Sequence, residues 1–244
     1  MAIPLREITG MPAFSSSYPM PPCRYRRARF QLVFFRADPA AVDRVLPECF
    51  SPEDGLCVAM GLAVPWSSSY GAFEESALSV PCAFEGRSGY FCAVAFLNSR
   101  SSISAGREIY GTPKVHAGIT VSMDERVMCT DTVAGGGSVM SVRSTMHREA
   151  RPEDVPPTSP NWRLKVIPRA DGRGPEVMQV IDTDGVSTDR EVHLCRAGDG
   201  VVQFNPSPVF DLSDFAPLSI HGAWYLEMDY TEGYGKVVRD FSGE

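Results

Sequence analysis

Residues 106–116 of the chain are Gly-Arg-Glu-Ile-Tyr-Gly-Thr-Pro-Lys-Val-His, and this stretch lies between two apolar, strand-like segments. It contains Lys114, one of only three lysines in a chain of 244 residues that also has 20 arginines. Arg stays protonated at any ordinary pH, whereas a Lys amine can lose its proton when buried and attack a carbonyl carbon. Lys114 is therefore a candidate for amine chemistry, although composition alone favours a solvated charge in a loop.

The sequence around Lys114 resembles the signature of the acetoacetate decarboxylase family, in which a Gly-Arg-Glu turn leads to a Pro-Lys pair. The matching residues are Arg107-Glu108-Ile109 and Pro113-Lys114. Upstream, residues 80–86 contain Val-Pro and Phe-Glu-Gly segments that resemble a family strand. Downstream, residues 161–172 contain Asn-Trp-Arg-Leu-Lys-Val-Ile-Pro and Asp-Gly, which resemble a later strand and turn. These segments keep the order of the family from near Gly10 to the C-terminus.

The pattern of apolar segments predicts a mainly β fold of the α+β kind. Residues 1–22, rich in Pro, Ser and Met, are expected to form an arm without regular structure, and residues 23–244 a single domain. Asp38 and Pro39 are typical of a helix start, and Pro47 of its end. The many strand-like segments favour an antiparallel β-barrel or double sheet with few short helices, which the resemblance also implies. Strands are predicted at residues 30–35, 56–64, 77–84, 89–97, 115–123, 127–133, 138–147, 162–167, 176–181, 190–196, 201–204 and 223–230, and short helices or turns at 99–105 and 211–218.

Charge and composition narrow the classes of partner. The net charge of −7 provides no basic patch, so nucleic acid is not an expected partner. No apolar run reaches the ~18 residues that a membrane-spanning helix needs, and the N-terminus has no signal-peptide pattern. Seven cysteines without a C-x-x-C pair indicate buried thiols in a cytoplasmic protein, and four scattered histidines give no metal-ligand spacing.

The resemblance implies a cofactor-free lyase in which Lys114 forms a Schiff base with a small keto acid, within a homo-oligomer. It also implies an acidic group at Glu75 in the cavity. Alternation along a strand allows only one of the adjacent Glu74 and Glu75 to point inward, and both would ordinarily be solvated. An inward carboxylate would orient the amine or carry protons.

The sequence offers further candidate site residues besides Lys114 and Glu75. Arg27 and Arg29 are each a potential clamp for a substrate carboxylate, or else part of a solvated strand edge. Tyr110 and His116 are candidates for substrate binding or proton transfer, with packing and a subunit contact as the alternatives. Two further residues, Arg107 and Glu108, are predicted to support the turn that presents the lysine.

The sequence departs from the decarboxylase pattern at two positions. Val115 stands where that subgroup has a second lysine, and no acid appears near Met60, where one is expected. Decarboxylation and aldolase/dehydratase-type chemistry therefore both remain open for the Schiff base. A non-catalytic protein that binds a small molecule, and a cyclase or isomerase that uses the cavity without a covalent step, are the alternatives.

Overall fold

The computed structural model describes residues 2–243, which form one mainly β domain. Its two α-helices are α1 (Pro39–Val45) and α2 (Arg100–Glu108), and short 3-10 helices lie at Leu5–Glu7, Pro152–Asp154 and Ser213–Phe215. The strands are β1 (Cys23–Arg36), β2 (Ser51–Pro52), β3 (Cys57–Val64), β4 (Trp66–Ser67), β5 (Phe73–Phe84), β6 (Arg87–Leu97), β7 (Lys114–His116), β8 (Gly118–Asp124), β9 (Val127–Ala134), β10 (Gly137–Thr145), β11 (Arg148–Glu149), β12 (Asn161–Pro168), β13 (Pro175–Asp182), β14 (Ser187–Gly198), β15 (Gly200–Phe204), β16 (Ser219–Glu232) and β17 (Lys236–Asp240).

The strands of the described residues form two sheets, so the double sheet, and not the closed barrel, is the arrangement present. The larger sheet has the order β11-β14-β16-β1-β3-β5-β6-β12-β13-β17, with β2, β4 and β7 paired at its sides, and the smaller has the order β15-β10-β9-β8. Pairing is antiparallel as predicted, except that β7 and β12 both run parallel to β6. These two parallel pairings determine where the candidate site lies.

The central strands of the large sheet are buried on both faces. On β6, Phe96 belongs to a core cluster shared with the small sheet, whereas Ala95 and Leu97 belong to a second cluster on the opposite face. The unbroken apolar character of this segment predicts such two-sided burial. The first cluster joins the two sheets, and the second borders the cavity described below.

A buried amide connects the two sheets. Gln31 of β1 is fully buried, and its Nε2 donates to the carbonyl of Met128 and to the Ser144 hydroxyl, both at 2.8 Å. The Thr130 hydroxyl donates to Gln31 Oε1 at 2.7 Å. Gly61 leaves room for this network, since a Cβ there would lie 2.1 Å from Thr130 Oγ1. A buried polar group with all its hydrogen bonds made fixes how the sheets are placed against each other.

Local sequence signals account for α1. Asp38 caps it by accepting a hydrogen bond from the Ala40 amide at 2.9 Å, and Pro39 is its first residue. The helix predicted within residues 211–218 is only the 3-10 turn Ser213–Phe215. No helix among residues 2–243 combines the length and apolar character needed to cross a membrane.

The segment predicted as one strand at residues 115–123 is two strands in different sheets. It breaks at Ala117, which is buried and donates its amide to the carbonyl of Leu97. β7 therefore pairs with β6 while β8 crosses to the small sheet. Strand β17 was not predicted, because Lys236–Asp240 is mostly exposed and has no apolar alternation.

Candidate active site

Lys114 begins β7 and is held there by backbone contacts on both sides. It pairs in register with Ala95 of β6, and the Ala95 amide donates to the carbonyl of Pro113. From the other side, Nη1 of Arg107 donates to the carbonyl of Lys114 at 3.2 Å. The backbone at Lys114 is therefore fixed, while its side chain extends away from β6 toward α2.

The stem of Lys114 lies across α2 at Gly106. A Cβ at Gly106 would lie 2.3 Å from Cδ and 2.7 Å from Cε of the lysine, so only glycine leaves space for it. At the end of the stem, Nζ donates to the hydroxyl of Ser102 at 3.1 Å, and Ser102 is buried on the same helix. The glycine and the serine, four residues apart on one helix face, thus direct the amine.

Glu75 faces the amine. Its Oε2 lies 3.5 Å from Lys114 Nζ, and the two side chains are only 11% and 15% exposed, respectively. Glu74 points elsewhere, where it accepts hydrogen bonds from the Val121 amide and from the Asn98 side chain. Of the two adjacent acids, Glu75 alone enters the cavity.

A second carboxylate, Glu232 at the end of β16, lies in the same cavity. The Tyr25 hydroxyl donates to its Oε2 at 2.7 Å, and the Tyr25 ring stacks on Tyr230 at 4.5 Å between ring centroids. Burial raises the pKa of Glu232, and the charge of Lys114 and the Tyr25 hydrogen bond oppose that rise. The cavity thus contains two acids in different environments, Glu75 paired with an amine and Glu232 hydrogen-bonded to a phenol.

The cavity has a volume of about 720 Å³ and lies beside the second core cluster. Aromatic and apolar side chains make up much of its lining, which disfavours charged groups without partners. The Pro-rich segment 152–159 lies at one side. The side chains that line it include Tyr25, Phe30, Met60, Tyr70, Glu75, Ser102, Tyr110, Lys114, Arg163, Arg190, Tyr230 and Glu232.

A family model described as acetoacetate decarboxylase (ADC) matches residues 10–241. The chain belongs to the acetoacetate decarboxylase family. Acetoacetate decarboxylase 2 of Mesorhizobium japonicum is 28% identical over 240 residues, which cover 95% of this chain and 89% of the relative. A crystal structure of acetoacetate decarboxylase from Legionella pneumophila, 27% identical, superposes with a TM-score of 0.87 over 96% of this chain and 95% of that one.

Another solved structure with this fold is the enduracididine biosynthesis enzyme MppR, in complex with the condensation product of pyruvate and imidazole 4-carboxaldehyde. It is 21% identical, has a TM-score of 0.82 and covers 96% of this chain and 97% of its own, and at that identity it shows the shared fold alone. The family model and the curated relatives make the chain an enzyme of the acetoacetate decarboxylase-like type.

The family signature around Lys114 supports the cavity wall. Tyr110 lines the cavity and donates to the carbonyl of Gly233 at 2.7 Å, and burial raises its pKa well above the ordinary value. Arg107 is exposed and bonds to the Lys114 backbone. Glu108 accepts a hydrogen bond from the Tyr18 hydroxyl at 2.5 Å, which attaches the N-terminal arm to α2.

Three predicted site residues lie away from the cavity lining. Arg27 and Arg29 share a face of β1, where both pair with Glu227 at 2.7 and 3.4 Å. A bulge with Arg27 at φ 53° displaces this stretch of the strand. His116 is exposed at the end of β7. Lys165 packs its backbone against Gly111, and burial lowers the pKa of its amine.

Sequence reasoning missed Glu232, Arg163 and Arg190, all of which line the cavity. Arg163 lies inside the recognised segment Asn161–Pro168, where its exposure to the cavity follows from the path of β12. Arg190 lies on β14 and Glu232 at the end of β16, both outside the recognised segments, and neither carries a local signal. Only the strand order brings them to Lys114.

One group of potential metal ligands exists in the part of the chain that the structure describes. The ligand atoms of Glu191, His193 and Asp229 lie within 4.8 Å of one another. Asp229 already accepts hydrogen bonds from the Arg26 side chain and the Arg27 amide. Burial alone would raise the pKa of Asp229, but these bonds and His193 hold it at about 2. This is an ion-pair cluster of the sheet surface.

Proposed function

We propose that the chain is a lyase that acts on a small keto acid through a Schiff base at Lys114. The observation that carries this proposal is the position of the amine. Nζ of Lys114 ends in the cavity, 3.5 Å from the Glu75 carboxylate and 3.1 Å from the Ser102 hydroxyl, and its side chain is only 15% exposed. An amine that is buried beside a proton acceptor is suited to attack a carbonyl carbon.

The covalent step uses these groups in sequence. Glu75 accepts a proton from the ammonium, the neutral Nζ bonds to the carbonyl carbon, and Glu75 passes its proton to the carbonyl oxygen. Glu75 then takes a second proton from the nitrogen and passes it to the hydroxyl group, which leaves as water and gives the iminium ion. The iminium accepts the electron pair released when the adjacent carbon loses CO2, a proton or an aldehyde, and an enamine results. Protonation of the enamine carbon and hydrolysis regenerate the lysine.

A second candidate reaction is condensation with an aldehyde followed by dehydration, and Glu232 favours it. Burial raises the pKa of this carboxyl group, so its protonated form persists to higher pH than in an exposed glutamate. Dehydration requires a proton for the departing hydroxyl, and a protonated carboxyl group in the cavity can donate it. Val115 occupies the position of the decarboxylase subgroup's second lysine. The chain therefore departs from the decarboxylase pattern, and condensation is a candidate beside decarboxylation for the step that follows the Schiff base.

Borohydride reduction tests the Schiff base. The protein is incubated separately with pyruvate and with acetoacetate, reduced, and measured by intact mass and peptide mapping. We expect a stable adduct confined to Lys114, lost in Lys114→Met and kept in the control Lys236→Met, whose lysine is exposed on β17. The better-trapped acid indicates the substrate class.

Other outcomes contradict the proposal. An adduct on Lys165 or Lys236, or none in folded protein with any keto acid of a wider panel, excludes the Lys114 Schiff base. Tight ligand binding that Lys114→Ala leaves unchanged would instead favour a binding protein, and product formation by Lys114→Arg a non-covalent cyclase or isomerase.

A further inference from the structure

We infer that Arg163 binds the carboxylate of the substrate while Lys114 reacts with its carbonyl carbon, so that the enzyme selects oxo acids over neutral ketones. This inference rests on the proposed function, because it assigns the carboxylate subsite of the same cavity. It differs from the prediction made from the sequence, which gave that task to Arg27 or Arg29.

Arg163 is a partly buried residue of β12 that lines the cavity. Its Nη1 donates to the Asn161 side chain and, at 3.0 Å, to the carbonyl of Trp162. Its Nε is buried and has no hydrogen-bond partner. Within residues 2–243 no carboxylate forms an ion pair with this guanidinium.

The arginines of β1 contrast with this arrangement. Arg27 and Arg29 are both engaged by Glu227, and Arg26 is paired with Asp229 at 2.7 Å. Hydrogen bonds from Nη1 to the side chain and backbone of β12 fix the orientation of the Arg163 guanidinium, while Nε stays unpaired. A guanidinium fixed in this way is preorganised to bind a carboxylate through two hydrogen bonds. Arg163 is therefore a cavity arginine that is anchored by its own strand and still has unpaired donors, whereas Arg190, which also lines the cavity, is exposed.

Arg163 and Lys114 both line the cavity, and their strands pair with the same strand, β6. β7 and β12 both run parallel to β6, with Lys114 opposite Ala95 and Trp162 opposite Phe91. Arg163 follows Trp162, so the two backbone positions are about three residues apart along β6, roughly 10 Å at the rise of a strand. Their long side chains can span that separation to reach one small molecule.

Glu232 lines the same cavity as Lys114 and Arg163, and the positive charges of both side chains oppose the rise in the pKa of its carboxyl group that burial causes. An oxo acid at this point would present its carboxylate to Arg163 and its carbonyl to Nζ. The exposed Arg190, at the edge of the cavity, adds positive potential that attracts an anion into a protein with a net charge of −7.

The test compares probes that differ only in the carboxylate. Half-saturating concentrations for borohydride trapping are measured with pyruvate, which has both groups, and with acetone, which has only the carbonyl. In Arg163→Gln we expect the value for pyruvate to rise at least tenfold and the value for acetone to stay within twofold. Arg163→Lys keeps the positive charge but loses the planar guanidinium that binds a carboxylate through two hydrogen bonds. It should retain part of the preference for pyruvate over acetone.

Arg173→Gln is the matched control, since Arg173 lies on the β12–β13 hairpin with 85% of its side chain exposed. It should leave both values unchanged. Equal shifts for pyruvate and acetone in folded Arg163→Gln, or no shift for either, would overturn the subsite while leaving the Schiff base intact.

If wild-type protein gives no adduct on Lys114, the proposed function fails, and the subsite is then tested by direct binding of butanoate in a calorimeter. Binding to wild type that Arg163→Gln weakens at least tenfold would uphold the anion subsite. No binding to wild type, or equal binding to both proteins, would overturn it.

Discussion

Gly106 and Lys114 are matched in shape: the lysine stem occupies the space that a side chain at position 106 would fill, with Cδ 2.3 Å from the place of a Cβ. We predict that Gly106→Ala displaces the amine and lowers the rate of Schiff-base trapping at least tenfold. Stability should change by no more than about 2 kcal/mol, because the better helix propensity of Ala offsets part of the overpacking.

Trapping kinetics and chemical unfolding measure the two effects separately. Gly118→Ala is the control, since the nearest atom to its added Cβ would be 3.8 Å away. Trapping at the wild-type rate in Gly106→Ala would show that Lys114 reacts equally well when its stem does not cross α2 at position 106.

Glu75→Gln preserves shape and removes the charge that faces Lys114. If Glu75 accepts and returns protons, turnover of the trapped keto acid should fall by about 10²-fold, with a much smaller change in KM. Steady-state kinetics measure the split. Glu74→Gln is the adjacent control, because Glu74 contacts Asn98 and the Val121 amide. Similar losses in both variants would point to a strand defect rather than to proton transfer.

Glu232 should make stability depend on pH. Burial raises its pKa in the folded state, so the folded protein holds this proton more tightly than the unfolded chain. Wild-type protein therefore loses stability as pH rises from the unfolded pKa, about 4.3, through the higher folded value. Glu232→Gln lacks this loss, and its unfolding free energy relative to wild type should increase between pH 4 and pH 7.

Denaturant unfolding at pH 4 and pH 7 measures that difference. Glu149→Gln is the control, since the Glu149 side chain is 91% exposed, and it should show no comparable pH-dependent gain. A Glu232→Gln difference that is the same at both pH values would contradict the raised pKa.

Gln31 joins the two sheets, and Gln31→Leu should destabilise the protein by about 3 kcal/mol. The change leaves the Met128 carbonyl and the Thr130 hydroxyl without their buried partner, and each orphaned group costs about 1–3 kcal/mol. Chemical unfolding gives the value. Gln203→Met on the exposed face of β15 should stay within about 0.5 kcal/mol of wild type. If Gln31→Leu lowers the free energy of unfolding by less than about 1 kcal/mol, the two sheets have shifted so that the freed polar groups find other partners.

The sequence by itself determined the local elements and the family. Three of these signals lie in neighbouring residues: the Asp38-Pro39 cap, the β6 segment that is apolar on both faces, and the motif around Lys114. Each depends on local sequence and can be recognised without knowing the position of the segment in the fold. The choice of Glu75 over Glu74 was narrowed by strand alternation, which is also a local rule.

Tertiary structure alone decided which distant charges meet at the cavity. In the sequence, Arg27 and Arg29 resemble a clamp for a substrate carboxylate. In the structure, both form ion pairs with Glu227 of β16. Arg163 lies in a recognised segment that does not mark it as a site residue, and Glu232 lies outside the recognised segments. Both line the cavity with Lys114 because β12 pairs with β6 and β16 pairs with β1. Pairing between strands far apart in the chain depends on the whole set of buried contacts, so the composition of the site is a property of the folded sheet.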